Sequence, residues 1–156
     1  MTARILIVDD HEIVREGIRT LLNKTRPEWD IVGEAKNGRE AIEETQRLRP
    51  DLIILDITMP LMSGLDAASE LIEQNFGGRI LMFTMHESER FISEVRRAGA
   101  HGYVLKSQAA RDLVRAIDRL LSGGTFFGSQ NDVPKSNNPG PDHSICFCEA
   151  WAFATN

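Results

Sequence analysis

Residues 51–64 read DLIILDITMPLMSG, and this stretch decides the fold. Leu52, Ile53, Ile54 and Leu55 form an unbroken apolar run, short enough for a strand and apolar on both faces. A strand buried on both sides belongs inside a sheet covered by helices, as is usual in parallel sheets. The run is bounded by Pro50 and Asp51 before it and by a carboxylate, Asp56, after it. Met59-Pro60 then turns the backbone, and Ser63 is placed to cap a helix running to about Gln74.

Outward from this stretch the pattern repeats. Upstream, Ile5 to Val8 reads as a buried strand. It leads into a helix whose Val14, Ile18, Leu21 and Leu22 share one face, with Pro27 punctuating its end. Asp30 to Ala35 reads as a second strand, broken by Asn37-Gly38. Residues 39–48 follow as a helix with Ala41, Ile42, Thr45 and Leu48 on one side. Downstream, Gly77-Gly78 precedes a strand from Ile80 to Phe83 that ends at Thr84. Residues 87–97 make a polar helix with sparse apolar positions, Phe91, Ile92 and Val95. Gly102 to Leu105 is a short strand ending at Lys106. Ser107 can cap the last helix, where Leu113, Ile117, Leu120 and Leu121 share a face, and Gly123-Gly124 closes it. Five alternating strand–helix units predict an α/β fold, a doubly wound parallel sheet with helices on both faces.

Composition agrees with this and excludes other classes. A chain of 156 residues holds one domain with an appendage and buries a core without disulfide staples. A formal charge of -5 argues against a sequence-independent grip on nucleic acid. The two cysteines, Cys146 and Cys148, lie near the C-terminus, so no disulfide framework is present and a cytoplasmic, reducing setting is the simplest expectation. The N-terminus has no signal-peptide pattern, and no apolar stretch is long enough to span a bilayer. Residues 1–128 are expected to form the domain. Residues 129–142 are rich in Ser, Asn, Asp, Pro and Gly, so 129–156 is expected to be a disordered or non-globular tail despite its apolar end.

In a doubly wound sheet the carboxyl ends of the strands form the site. Asp9 and Asp10 follow the first strand, Asp56 the third, Thr84 the fourth and Lys106 the fifth. An acid at one strand end usually just caps a loop, Thr84 alone would be a loop hydroxyl, and Lys106 alone a solvated charge. Together, each polar group appears where an apolar run stops. Three clustered acids repel one another and need a cation, and Mg²⁺ or Mn²⁺ suits oxygen ligands. A carboxylate can act as a nucleophile and become an aspartyl phosphate. That transfer needs positioning and charge neutralisation, which a metal ion and Lys106 would supply, with Thr84 donating to the phosphoryl oxygens.

The motifs ILIVDD, DLIILDITMPLMSG, ILMFT and GYVLK resemble those of response-regulator receiver domains, over roughly residues 3–127. The resemblance implies a flavodoxin-like fold with strand order 2-1-3-4-5. It implies that Asp56 is the phosphoacceptor, that Asp9, Asp10 and the backbone carbonyl of Thr58 join it at the metal, and that Lys106 contacts the phosphoryl group. Thr84 and Tyr103 match the family's switch pair, with sheet packing as the lesser alternative for Tyr103. The implied donor is a sensor histidine kinase or a phosphotransfer protein. TMHESE after the fourth strand and SGGTFF after the last helix are similar to NarL/FixJ-type regulators, whose full-length members carry a helix-turn-helix domain. The 29 residues after Phe127 show no amphipathic helix pair, so no DNA-binding domain is expected in this chain. Protein contacts, a homodimer or service as a phosphate sink remain as outputs.

Two departures from the family pattern stand out. Met85 follows Thr84 where many receivers have a small residue, and its bulk would narrow access to the acceptor. Ser107 follows Lys106 where many have proline. His11 and His86 border the site and read as loop residues rather than metal ligands. His143, Cys146 and Cys148 offer soft-metal ligands without the paired spacing of zinc sites. A phosphohydrolase using Asp56 as nucleophile is the second function class. It needs a second Asp at the position of Thr58. A flavin-binding module of the same fold is the third, and the acidic pair after the first strand opposes it.

Overall fold

The computed structural model describes residues 2–85 and 88–127. Strands β1 (Arg4–Val8), β2 (Asp30–Ala35), β3 (Leu52–Leu55), β4 (Arg79–Thr84), β5 (Gly102–Leu105) and β6 (Phe126–Phe127) form one parallel sheet in the order β2-β1-β3-β4-β5-β6. Between them run α1 (Glu12–Thr25), α2 (Gly38–Leu48), α3 (Gly64–Glu73), α4 (Glu89–Arg97) and α5 (Ala109–Leu121). This is the flavodoxin-like doubly wound sheet, with one strand added at the edge.

Alternation along the strands divides the interior into two cores. Ile5, Ile7, Leu52, Ile54, Leu81 and Phe83 face α1 and α5, where Ile18, Leu22, Leu113 and Ile117 meet them. Leu6, Val8, Ile53, Leu55, Met82 and Tyr103 face α2, α3 and α4, where Ala41, Ala67, Leu71 and Val95 meet them. Burying each such aliphatic side chain stabilises the fold by about 1.5–3 kcal/mol. Because β1 and β3 are sealed on both faces, the first polar residue after each is carried to the sheet's carboxyl edge.

Helix entries follow local chemistry. Ser63 caps α3 by accepting from the Asp66 N–H at 3.2 Å, as its position predicts, and Asn37 caps α2 by accepting from the Glu40 N–H. Ser88 caps α4, accepting from the Phe91 N–H, so this helix starts at Glu89 rather than at residue 87. Ser107 does not cap α5. Lys106–Gln108 forms a 3₁₀ turn, which shifts the helix start to Ala109 behind Gln108, and no side-chain cap bond is made there. The edge strand β6 is the element the sequence pattern missed. Its two residues are too few to show a period, but Phe126 and Phe127 pair with Gly102 and Tyr103 and are both buried. His86 and residues 128–156, including His143, Cys146 and Cys148, lie outside the described residues.

Candidate functional site

Four strand ends deliver the site. β1 runs out into Asp9, which is 1% exposed, and Asp10 beside it at the mouth. β3 runs out into Asp56, which is 4% exposed, and its N–H donates to the Val8 carbonyl at 3.0 Å, tying the two acidic turns together. Thr84 is the last residue of β4, buried and registered opposite Leu105. Lys106 follows β5, and its Nζ lies 2.7 Å from Asp9 Oδ2 and 3.5 Å from Asp56 Oδ2.

Ligand atoms of Asp9, Asp10, Asp56 and His11 all lie within 4.8 Å of one another. The sequence pattern treats His11 as a loop residue, yet its ring is brought into the cluster. Its Nδ1 sits 3.1 Å from Asp9 Oδ1 and 3.0 Å from Asp10 Oδ1, and the main-chain N–H of His11 donates to Asp9 Oδ1 at 2.8 Å. The crowding shows in Asp56, whose pKa is pushed from 3.8 up to about 6. Burial is the main cause, followed by the Asp9 charge, with Lys106 acting in the opposite direction. A buried carboxylate so poorly compensated suits a cation. The oxygen-rich donor set fits a hard divalent ion such as Mg²⁺ or Mn²⁺.

The loop after Asp56 is shaped by close approach. A Cβ at Gly64 would lie 1.9 Å from the Asp56 carbonyl oxygen, so the helix can start there only on glycine. The Gly64 N–H donates to Ile57 O at 2.8 Å, and the Gly38 N–H donates to Met62 O at 3.3 Å, which seats the loop on the start of α2. Thr58 lies exposed in this loop, two residues past Asp56. Leu61 holds a left-handed φ of 69° and is 84% exposed. Tyr103 is buried among the α4-side core residues, its ring turned in. Met85 is 78% exposed at the start of the β4–α4 connection. The sequence pattern also passed over Arg15, which lies behind Asp9. Its signal was an arginine on the same helical face as Ile18 and Leu22.

The sheet order and this acidic edge define a class, the receiver modules of two-component signalling, and comparison with known proteins places the chain in it. Residues 5–118 match the model of the response regulator receiver domain, and the chain belongs to that family. It is 39% identical over 121 residues to the nitrate/nitrite response regulator protein NarL of Escherichia coli K12, covering 78% of this chain and 56% of that protein. A crystal structure of a LuxR-family two-component response regulator from Aurantimonas sp. SI85-9A1 superposes with a TM-score of 0.78 at 39% identity, covering 83% of this chain and 92% of that one. The isolated receiver domain of RcsB from Salmonella enterica serovar Typhimurium, determined with the phosphomimetic BeF3-, gives 0.75 at 27% identity, covering 83% and 95%. The chain spans about half the length of the curated relatives it matches. No helix among the described residues is long and apolar enough to cross a membrane.

Proposed function

We propose that Asp56 is the phosphoacceptor of a two-component pathway, taking a phosphoryl group from a phosphohistidine on a sensor kinase or phosphotransfer protein in the cytoplasm. The convergence of three carboxylates and Lys106 on one sheet edge carries this reading. An Asp56 carboxylate oxygen attacks phosphorus, the donor's P–N bond breaks, and the leaving imidazole keeps the electron pair and takes up a proton. Asp9, Asp10, Asp56 and the Thr58 carbonyl would hold Mg²⁺ or Mn²⁺, which when bound neutralises charge on the phosphoryl oxygens. Lys106 adds a second positive charge beside Asp56. Thr84 offers a hydroxyl to the new phosphate, and its movement is coupled to the Tyr103 ring, biasing the surface of α4 and β5 between two states.

No turnover of an external substrate is proposed. Thr58 stands where an aspartate-based phosphohydrolase would need its general acid, which disfavours that alternative. Incubation with acetyl phosphate and Mg²⁺, followed by intact mass, tests the reading. One added phosphoryl group, lost in Asp56→Asn, is the expected result. Labelling that survives in Asp56→Asn, or continuing hydrolysis of phosphate esters, would refute it.

A further inference from the structure

Asp9 is held from behind by an arginine that belongs to the buried face of a helix. The inward positions of α1 are Arg15, Ile18 and Leu22, so a guanidinium stands where the helix otherwise places hydrocarbon. Arg15 is only 7% exposed, and a charge so buried needs good acceptors. Its Nη1 donates to the main-chain oxygen of Asp9 at 2.6 Å, and its Nε donates to Glu34 Oε1 at 2.9 Å. Glu34 stands on β2, and its second oxygen receives Arg19. The Asp9 N–H donates to Ala35 O at 3.1 Å, so β2 steadies Asp9 directly through Ala35 and indirectly through Glu34 and Arg15.

The carbonyl that Arg15 grips belongs to the peptide joining Asp9 to Asp10. Fixing that oxygen fixes the peptide plane, and with it the direction in which Asp10 leaves the chain. We propose that Arg15 is a positioning residue, clamped by Glu34, that sets the aim of the Asp9–Asp10 pair and thereby the affinity of the acidic cluster for a divalent cation. This rests on the reading of that cluster as the metal site. Mg²⁺ tolerates little departure from octahedral geometry, so a small misdirection of one carboxylate is costly. Groups that orient metal ligands typically matter by 10–100-fold in affinity.

The direction of the effect separates positioning from charge. As a mere positive charge, Arg15 repels a cation, and its removal would tighten binding. Glu34 offsets much of that charge, so the repulsion is small. As a positioning group, its removal weakens binding. Lysine does not replace it, because one ammonium lacks the planar fork that serves both Asp9 and Glu34.

The test is titration of the full chain with Mn²⁺, reading free Mn²⁺ by electron paramagnetic resonance, alongside urea unfolding of the same samples. Arg15→Gln is expected to weaken Mn²⁺ binding by about tenfold, Arg15→Lys by nearly as much, and Glu34→Gln by a smaller factor in the same direction. Unchanged or tighter binding in Arg15→Gln overturns the proposal, as does lower stability with unchanged affinity, which would assign Arg15 to the fold alone. If Arg15→Gln does not fold, the partly exposed Glu34→Gln decides, and unchanged affinity there overturns it. Absence of Mn²⁺ binding in the wild type overturns the metal-site reading itself, and the proposal with it.

Discussion

Replacing Asp56 by Asn is expected to stabilise the protein at neutral pH while abolishing phosphorylation. The carboxyl's pKa in the folded state is about 6 against an ordinary 3.8, raised first by burial and then by Asp9. Between these values the folded protein keeps a proton that the unfolded chain has released. The folded state therefore binds more protons in that window, and stability falls as pH rises through it. Each pH unit of displacement corresponds to about 1.4 kcal/mol, so the ionised Asp56 costs about 3 kcal/mol above pH 7. Asn removes that burden and keeps an oxygen toward Lys106, which retains its 2.7 Å partner Asp9. The variant should gain about 2 kcal/mol over wild type in urea unfolding at about pH 7.5, with the gain vanishing near pH 4. Comparing the two proteins at each pH cancels the titrating groups that are not coupled to Asp56. Mg²⁺ should narrow the gap by stabilising the wild type more. An Asp56→Asn protein that is no more stable than wild type at pH 7.5, or whose advantage is the same at pH 4, would refute this account of the site.

Lys106→Met leaves Asp9 and Asp56 without the ammonium at 2.7 and 3.5 Å. It should slow acetyl-phosphate labelling by about 100-fold, and a rate near wild type would show that Lys106 is dispensable. Gly64→Ala forces a Cβ against the Asp56 carbonyl and should destabilise by more than about 2 kcal/mol in urea unfolding. Phe127→Ala strips the edge strand of a buried ring over which the Arg96 guanidinium stacks at 4.0 Å, and should cost about 3 kcal/mol in the same assay. Met85→Ala should change the rate of phosphate loss followed by intact mass if its side chain screens the acceptor, and an unchanged rate removes Met85 from the mechanism.

The central strands were legible because they are sealed on both faces. Leu52–Leu55 has to be apolar throughout, and its length excludes a helix. That made Asp9, Asp10, Asp56, Thr84 and Lys106 legible as well, since a polar residue ending such a run emerges at a known edge of the sheet. What stayed hidden depends on contacts between segments distant in sequence. Two phenylalanines carry no period, and β6 exists only because β5 offers them an open edge. Ser107 resembles a cap in isolation, but the 3₁₀ turn uses it before the helix begins. His11 joins the cluster because the turn after β1 folds its ring back toward Asp9 and Asp10. Arg15 is legible as an anomaly on an apolar face, yet nothing in its own segment names Glu34 as its partner across 19 residues.

The site's charge balance separates the roles of the two cationic side chains that touch Asp9, Lys106 at its carboxylate and Arg15 at its main-chain oxygen. Three carboxylates against the ammonium of Lys106 leave two formal negative charges. A divalent cation would bring that cluster to neutrality and so ease the approach of the proposed anionic phosphoryl donor. The proposed transfer would convert a singly charged carboxylate into an acyl phosphate carrying up to two charges, so the product state would again be negative. That excess would have to be met by donors that can move toward it, the role proposed for Thr84 at the end of β4. Arg15 takes no direct part in this balance because Glu34 already pairs with it. Lys106, facing the oxygens, supplies charge, whereas Arg15, facing a carbonyl, supplies direction. Exchanging them would fail for opposite reasons, since a fork at position 106 would crowd the acceptor and an ammonium at position 15 would release the turn.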